Sequence, residues 1–198
     1  IMGVETTILA ALMGLSLASA SGFRVFLPPF ILSLAVRTDT FVNLDLSGTE
    51  FAAFDSNAAV IVLGIACLAE FGAYYVPWLD NLLDTIATPA AVVSGVSMTS
   101  MALVGSDPII QWSFAIIAGG GSAGIIQVTT VAIRGLSSTL TMGFGNSFVA
   151  SGENIASVIL TIAALIAPLI AAIFAVILVA LLIRQSIKIT AEKSTQGT

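Results

Sequence analysis

Residues 70–89 read Glu70-Phe-Gly-Ala-Tyr-Tyr-Val-Pro-Trp-Leu-Asp-Asn-Leu-Leu-Asp-Thr-Ile-Ala-Thr-Pro89, and they interrupt a chain that is otherwise almost uniformly apolar. The stretch places the carboxylate of Glu70 inside a hydrophobic run and breaks that run at Pro77. Asp80 and Asp84 follow, four residues apart. Proline has no backbone N–H and cannot continue a preceding helix. The stretch therefore predicts a helix that ends near residue 76 and a second helix after the break.

The composition of the whole chain is that of an integral membrane protein. Of its 198 residues, 58% are hydrophobic and 9% are charged, and the mean hydropathy is +1.09. Soluble domains carry about 25% charged residues. The apolar runs are about twenty residues long, as needed to cross about 30 Å of hydrocarbon. We predict an all-α, polytopic helical membrane protein, with residues 1–198 as one membrane domain and 184–198 as its polar C-terminal tail.

The apolar runs predict about five spans. The first run, residues 6–36, would be about 46 Å long as one helix. It contains the segment Ser19–Arg24 and the pair Pro28-Pro29, so we predict a first helix that is broken near its middle. An alternative is a signal peptide cleaved after Ala20, although no basic residue precedes the apolar part. The other runs cover residues 58–76, 86–105, 108–133 and 155–183.

Two connections are more polar than the spans. Residues 37–57 are acidic and contain Gly48 as a turn signal, which predicts a solvated loop. Residues 134–154 combine glycine and hydroxyl side chains with apolar residues, which fits either a re-entrant segment or a surface loop. We expect three residues of this region and of the span before it to line a polar pathway: Asn146, Ser147 and Gln127.

Helix boundaries are marked at two further places. Asp107 precedes Pro108, a pair that predicts the start of the fourth span. After Pro77, Asp80 and Asp84 share one side of a short helix. The aromatic residues beside this helix are typical anchors at a membrane surface: Tyr74, Tyr75 and Trp78. The pattern predicts a short helix that lies at the interface.

Four charged residues lie in or beside apolar runs. Arg24 and Glu70 are inside runs, whereas Arg134 and Glu153 are at the edges of runs. Because an unpaired charge is costly in lipid, we expect these side chains to face the bundle interior, where two cations and two anions can pair. The pattern fits a polar passage for a proton, ion or small solute. The alternatives are structural ion pairs and, for Glu153 and Arg134, snorkelling to the interface.

Small residues predict where helix backbones touch. The first helix carries a stripe of small residues, and the fourth span carries a glycine run with GxxxG spacing. Residues 120–124 also fit the GxSxG pattern of serine hydrolases, but the chain has no histidine as a base and no strand precedes the motif. The predicted packing glycines are Gly14, Gly22, Gly119, Gly120, Gly121 and Gly124.

The residue inventory argues against several classes of protein. The absence of histidine removes Ser-His and Cys-His catalysis, so we expect no catalytic residues, no enzyme activity and no cofactor. The six basic residues are too few for a nucleic-acid surface. An oxygen-ligated metal site from Glu70, Asp80 and Asp84 is an alternative, but its spacing is not diagnostic and we expect no metal.

Basic residues favour one orientation. Arg184, Lys188 and Lys193 follow the last span, which predicts a C-terminus on the cytoplasmic side or its organellar equivalent. Arg37 favours the same side for the acidic loop.

Several of these motifs occur together in one family. In this order, they resemble the multi-pass membrane proteins grouped as domain of unknown function 4126. The resemblance implies a bacterial inner membrane, or a plastid or thylakoid membrane, and no particular activity. It rests on Gly14-Leu-Ser-Leu-Ala-Ser-Ala-Ser-Gly-Phe-Arg24, Leu27-Pro28, Glu70-Phe, Val76-Pro-Trp-Leu-Asp-Asn-Leu-Leu-Asp84, the triple glycine, Asn146-Ser and Ser151-Gly-Glu153.

The chain departs from that family pattern at two places. Tyr74-Tyr75 replaces a common Asp-Lys pair, and Gln127 lies in a span where a histidine and a lysine are common. If those ionisable groups serve an activity elsewhere in the family, this copy is expected to act as a structural subunit.

Two functions therefore stay open. The first is transport or permeation of a small solute or ion, with Glu70 as the coupling or gating carboxylate and Arg24 or Arg134 as its partner. Here the broken first helix and residues 134–154 are expected to meet near the middle of the membrane. The second is an accessory subunit of a respiratory or photosynthetic complex, with the small-residue stripes and the acidic loop as docking surfaces. The expected partners are the lipid bilayer and either further copies of the chain or a larger complex.

Overall fold

The computed structural model describes residues 3–142 and 144–196, and it describes their side chains except at residues 77–84 and 185–196. All regular structure in this part of the chain is helical, which confirms the all-α prediction. A short 3-10 helix covers Ala52–Phe54, and a π-helical turn, Ala115–Gly120, joins α5 to α6. The α-helices are α1 (Val4–Ser21), α2 (Leu27–Arg37), α3 (Asn57–Ala73), α4 (Pro77–Ala102), α5 (Pro108–Phe114), α6 (Gly121–Thr141), α7 (Asn146–Ile166) and α8 (Pro168–Gln196).

The helices have the length and composition of membrane spans, as the sequence predicts. Within the described residues, four segments are long and apolar enough to cross a membrane: Val4–Ser21, Thr85–Ala102, Pro108–Thr141 and Asn146–Ile166. Three shorter apolar helices accompany them, Leu27–Arg37, Asn57–Ala73 and Pro168–Arg184. This is the architecture of a helical membrane protein.

Helix α1 lies at the centre of the bundle, in contact with α4, α6, α7 and α8. Two hydrogen bonds set the direction of α4. Ser94 Oγ donates to Ser21 Oγ at 3.1 Å, and Thr99 Oγ1 donates to the carbonyl of Gly14 at 3.0 Å. The later residue of α4, Thr99, thus meets the earlier residue of α1, Gly14, so the two helices are antiparallel.

The predicted break in the first helix is confirmed. Helix α1 ends at Ser21, and α2 begins at Leu27 with two prolines in its first turn. Helix α2 then runs back opposite to α1. The carbonyl of Val25 accepts a hydrogen bond from Ser94 of α4. Two turns later, Ser33 donates to the carbonyl of Phe54, a residue that lines the same cavity as Met98, further along α4. The first run of the sequence is therefore a helical hairpin.

Two predicted helix starts are confirmed, but the helix that begins at one of them is longer than predicted. Asp107 Oδ1 accepts a hydrogen bond from the backbone N–H of Ile109 at 2.9 Å and caps α5. The helix that starts at Pro77 continues without a break to Ala102, with Pro89 inside it. The predicted short interfacial helix and third span are thus one helix, because a proline is tolerated within a span where neighbouring groups satisfy the backbone. The predicted interfacial side chains lie outside the described side chains: Trp78, Asp80 and Asp84.

Residues 134–154, for which the sequence predicts a re-entrant segment or a surface loop, form the tip of a helical hairpin, so the loop prediction is wrong. Helix α6 continues to Thr141, and α7 begins at Asn146. Met142 ends α6 with a left-handed backbone, φ 54°. The hydroxyl of Thr141 donates to the carbonyl of Ser137 at 2.7 Å. Because serine and threonine hydroxyls can bond to their own helix in this way, the polar composition does not break the helix.

Residues 155–183 were predicted to form one span, but they belong to two helices. Helix α7 ends at Ile166, and Ala167, which precedes Pro168, has the extended φ of -141°. A residue before proline disfavours the helical region, which explains the break. Helix α8 turns back along the bundle, since Ile183 and Ser19 of α1 line the same groove.

The acidic loop and Arg184 of α8 lie at opposite ends of the bundle. Phe51 of the loop packs on Trp112 of α5, with ring centroids 6.4 Å apart. Arg184 follows the apolar part of α8, which runs away from that end. The predictions that Arg37 and Arg184 both mark the cytoplasmic side therefore cannot both be right, because the bundle separates them.

The acidic loop exposes its four carboxylates and is held by local hydrogen bonds. Gly48 has φ 73°, which confirms the predicted turn. The hydroxyl and the backbone N–H of Ser47 donate to Asp45 Oδ1 at 2.5 and 2.9 Å, and these hydrogen bonds lower the pKa of Asp45.

Candidate functional site

Four buried charges converge at the break between α1 and α2. Arg24 lies in the break, Glu70 near the end of α3, Arg134 on α6 and Glu153 on α7. Their exposed fractions are 0%, 6%, 1% and 5%. We call these four residues, together with Tyr74 after α3, the charge cluster. Residues far apart in the sequence meet here because α1, α3, α6 and α7 all reach this end of the bundle.

Glu153 bridges the two arginines of the cluster. Its Oε2 atom lies 2.9 Å from Nη1 of Arg24 and 3.2 Å from Nη1 of Arg134. Arg24 is held further by α7, because its Nε donates to Oδ1 of Asn154 and its Nη2 donates to the carbonyl of Ala150 at 2.9 Å. These contacts fix the helix break against α7.

Tyr74 lies against both cations. The guanidinium carbon of Arg24 is 4.1 Å from the centroid of the Tyr74 ring, and that of Arg134 is 4.4 Å from it. Such contacts attract a cation to the face of the ring. Tyr74 is 3% exposed, so the prediction that it anchors at the membrane surface is wrong. Its neighbour Tyr75 is 47% exposed, and its hydroxyl forms a hydrogen bond of 3.0 Å with Ser151 Oγ.

Glu70 binds the backbone of the helix break. Its two carboxylate oxygens accept hydrogen bonds from the N–H groups of Val25 and Phe26, at 2.7 and 3.0 Å. The first N–H groups of a helix have no partner within the helix, and negative charge is favoured there. The sequence predicts Arg24 or Arg134 as the partner of Glu70, whereas the donors of these two hydrogen bonds are backbone N–H groups.

An apolar cavity lies beside Glu70, between α3 and α4. Its volume is about 340 Å³, and Glu70 and Tyr74 form part of its wall. A second cavity, of about 420 Å³, continues from it along α4 towards Met98. Together they form one groove, and Glu70 is the charged residue among the described residues that line it. The residues shared by the two cavities are Val25, Phe26, Ile86 and Ala90.

The residues predicted to line a pathway are placed differently. Gln127 is buried on α6, and its side-chain amide makes no hydrogen bond to any residue that the structure describes. Asn146 donates to Ser138 Oγ at 2.8 Å and ties the tip of the α6–α7 hairpin. Asn146 and Ser147 lie about two turns before Glu153. They are therefore at the end of the bundle, and they do not meet the helix break.

Sequence reasoning missed three groups that complete the cluster. The side chain of Asn154 and the carbonyl of Ala150 hold Arg24, and the ring of Tyr74 faces both guanidinium groups. Asn154 follows Glu153 directly in the sequence. A polar side chain next to a charge that is expected to be buried indicates that both belong to the same polar site. The carbonyl of Ala150 could not be predicted, because every residue has a backbone carbonyl and the residue type does not show which one accepts a hydrogen bond.

Glycines form a close-packed seam among α1, α4, the π-helical turn and the first turns of α6. A Cβ atom at Gly14 would lie 2.9 Å from Thr99 Cα, and one at Gly22 would lie 2.7 Å from the carbonyl oxygen of Ala123. At Gly119 it would lie 2.8 Å from the carbonyl oxygen of Gly95. Separations below 3.0 Å leave no room for a side chain. We call these residues the glycine seam: Gly14, Gly22, Gly95 and Gly119.

The other predicted packing glycines differ from one another. Cβ atoms at Gly120 and Gly124 would lie 3.0 and 3.2 Å from valine side chains of α4. A Cβ at Gly121 would meet nothing within 4 Å, so its predicted packing role is wrong, because it faces a groove beside α8. Ser122 donates to the carbonyl of Gly119 at 3.1 Å within the same continuous helix, which is not the geometry of a nucleophile elbow.

Apolar helices of membrane-spanning length around a buried charge cluster define a polytopic helical membrane protein. The chain belongs to the family described as Domain of unknown function (DUF4126), whose model matches residues 11–188. This match confirms the resemblance seen in the sequence motifs. Searches of curated proteins and of solved structures found no match. The family description names no activity, so a functional proposal rests on the geometry of the site.

Proposed function

We propose that this protein transports a small solute or ion, or lets it permeate, through its helical bundle, with Glu70 as the gating carboxylate. One observation carries the proposal. The Glu70 carboxylate lies on the N–H groups of Val25 and Phe26 at a helix break, and it borders a cavity. In transporters with broken helices, the freed backbone groups at such breaks bind the solute. Here a carboxylate of the chain itself occupies that position.

Gating follows from the charge on Glu70. While it is ionised, this side chain satisfies the unwound backbone and holds the start of α2. Protonation of Glu70, or its displacement by a solute, releases the two N–H groups into the site. Arg24 precedes Val25 directly and pairs with Glu153, so a movement of the break is passed on to α7. The chemistry proposed is binding and passage without catalysis, since the chain contains no histidine to act as a base.

We also propose an orientation. In it, the C-terminus is on the cytoplasmic side of a bacterial inner membrane, or on the equivalent side of a plastid or thylakoid membrane, as the excess of basic residues at Arg184 and the two lysines after it favours. The acidic loop then lies on the opposite side, at the other end of the bundle.

An accessory subunit of a larger membrane complex is the second candidate, and one surface favours it. The tip of the α6–α7 hairpin exposes large apolar side chains that a partner chain would cover. The small-residue stripes do not favour it, because the seam glycines pack within this chain. The exposed apolar residues of the tip are Leu140, Met142, Phe144 and Phe148, each more than 80% exposed.

Flux through purified protein in liposomes tests the first proposal. Glutamine at position 70 keeps one oxygen as an acceptor but cannot ionise, so Glu70→Gln is expected to lower the transport rate about tenfold or more. Glu50→Gln, in the exposed acidic loop, is the matched control and should leave the rate unchanged. Wild-type rates in Glu70→Gln for every solute that the protein carries would refute the gating role. Native purification tests the second candidate, because a subunit travels with unlike chains.

A further inference from the structure

We propose that the charge cluster binds a small monocarboxylate, held by Arg24 and Arg134 at the place that the Glu153 carboxylate occupies. This proposal names a solute class for the proposed function and rests on it. Both guanidinium groups approach the same oxygen of Glu153, at 2.9 and 3.2 Å. Two guanidinium groups that converge on one point recognise an anion, and their planar donors match a carboxylate. Glu153 is then the internal occupant that a solute replaces.

The charges of the cluster determine what must accompany the solute. Arg24 and Arg134 balance Glu70 and Glu153, so an entering carboxylate adds one negative charge that has no counter-ion. Uncompensated charge is costly at such a buried site. We therefore infer that one proton enters with each carboxylate and resides on Glu153, the glutamate that the solute displaces. The net result is the passage of the neutral acid.

The titratable groups that face this site come from all the elements packed around it. The helix break supplies Arg24, α6 supplies Arg134 and α7 supplies Glu153. Helix α3 supplies Glu70 and, one turn earlier, Cys67, and Tyr74 follows the helix. Of these groups, the two glutamates are the carboxylates that can take up a proton, whereas the thiol of Cys67 and the phenol of Tyr74 already carry theirs.

Tyr74 connects the cluster to the cavity. Its ring lies against both guanidinium groups and also forms part of the wall of the 340 Å³ cavity. The ring therefore lies between the cavity and the two arginines. The remaining wall of the cavity is apolar, with Ala66, Ala69 and Ala87 among its residues. This wall favours a carboxylate with a short hydrocarbon tail over inorganic phosphate.

Chemical rescue tests the site directly in the full-length protein. In Glu153→Ala, the internal carboxylate is absent and the arginines face an empty position. Thermal unfolding is measured in detergent at constant ionic strength with sodium butyrate, sodium chloride, sodium phosphate or butylammonium chloride. Butyrate is expected to raise the melting temperature of Glu153→Ala, and to bind it about tenfold more tightly than the wild type, where Glu153 competes. Butylammonium, a cation of the same shape, should have no such effect.

A second variant keeps the test decisive if Glu153→Ala does not fold. Arg134→Lys retains the positive charge but loses the planar donor pair, so titration calorimetry should show weaker butyrate binding than in the wild type. Arg37→Lys is the control, because Arg37 is exposed and bonds to Asn57 in the α2–α3 region. Equal butyrate binding by Arg134→Lys and the wild type would overturn the proposal. So would stabilisation of Glu153→Ala by phosphate, chloride or butylammonium to the same degree as by butyrate.

The two proposals fail in different ways. If butyrate rescues Glu153→Ala but liposomes show no flux, the carboxylate site stands and the transport function does not. If flux depends on Glu70 but butyrate neither binds nor rescues, transport stands and the carboxylate site does not.

Discussion

The glycine seam and the charge cluster both join α1 to its neighbours, but they do so by opposite means. In the seam, backbones approach so closely that a Cβ at Gly14 would lie 2.9 Å from Thr99 Cα. In the cluster, long charged side chains surround a helix break and border a cavity of about 340 Å³. One region leaves no space for movement, and the other contains both space and groups that change charge.

This difference separates scaffold from function. Close packing of small residues stabilises helices against each other in a membrane through van der Waals contact. Buried ion pairs stabilise little, because the cost of removing charges from water offsets their attraction. The seam therefore explains how the bundle holds together, whereas the cluster calls for a functional explanation.

The largest expected loss of stability comes from removing the shared anion of the cluster. Glu153→Ala leaves Arg24 and Arg134 without their bridging carboxylate, and breaking a buried pair costs about 3–5 kcal/mol. The free energy of unfolding in detergent measures this loss. Glu50→Ala, in the exposed loop, should change it by less than about 0.5 kcal/mol. If Glu153→Ala unfolded like the wild type, Glu153 would not be the counter-ion of the arginines.

A smaller loss is expected in the seam. Gly119→Ala places a methyl group against Thr99 and the carbonyl of Gly95, and such overpacking costs about 1–3 kcal/mol. Gly121→Ala is a matched control two residues away, where a methyl group meets nothing within 4 Å. Alanine should stabilise the helix at that position, by up to about 1 kcal/mol. Equal effects at both positions would show that the seam is not closely packed.

The smallest expected loss concerns the ring of Tyr74. Tyr74→Leu removes the aromatic face that contacts Arg24 and Arg134, which should cost about 1–2 kcal/mol. Tyr74→Phe keeps the ring and should lose less stability than the leucine variant. The free energies of unfolding of the two variants, measured under the same conditions, separate the contribution of the aromatic ring from that of the hydroxyl group. Equal losses in both variants would exclude an attraction of the arginines to the ring.

The parts of the fold set by local chemistry were predictable from sequence. The break after Ser21, the start of α4 at Pro77 and the Asp107 cap follow from glycine, proline and aspartate at defined positions. The turn at Ala167 was missed because a proline in an apolar run fits a kink as well as a hairpin. The helices across residues 134–154 were missed because hydroxyl side chains suggested a loop, although they bond to their own helix.

The cluster could be predicted in part. A charge inside an apolar run must find a partner wherever the helices lie, so the burial of Arg24 and Glu70 followed from the sequence. The identity of each partner depends on which elements approach. The backbone donors of Val25 and Phe26, and the position of Tyr74 against both arginines, required the tertiary structure.

The reactivity of single cysteines tests most directly whether the cluster lies on a solute path. In a Cys67→Ala background, Ala87→Cys places a thiol in the cavity beside Glu70, and Ala18→Cys places one in the packed region next to Gly95. Both alanines are buried, with exposed fractions of 6% and 0%. In sealed vesicles, a charged thiol reagent that cannot cross the membrane should modify Ala87→Cys and spare Ala18→Cys. If Ala87→Cys were as unreactive as Ala18→Cys, the cavity would be closed to solutes and the cluster would be a structural ion pair.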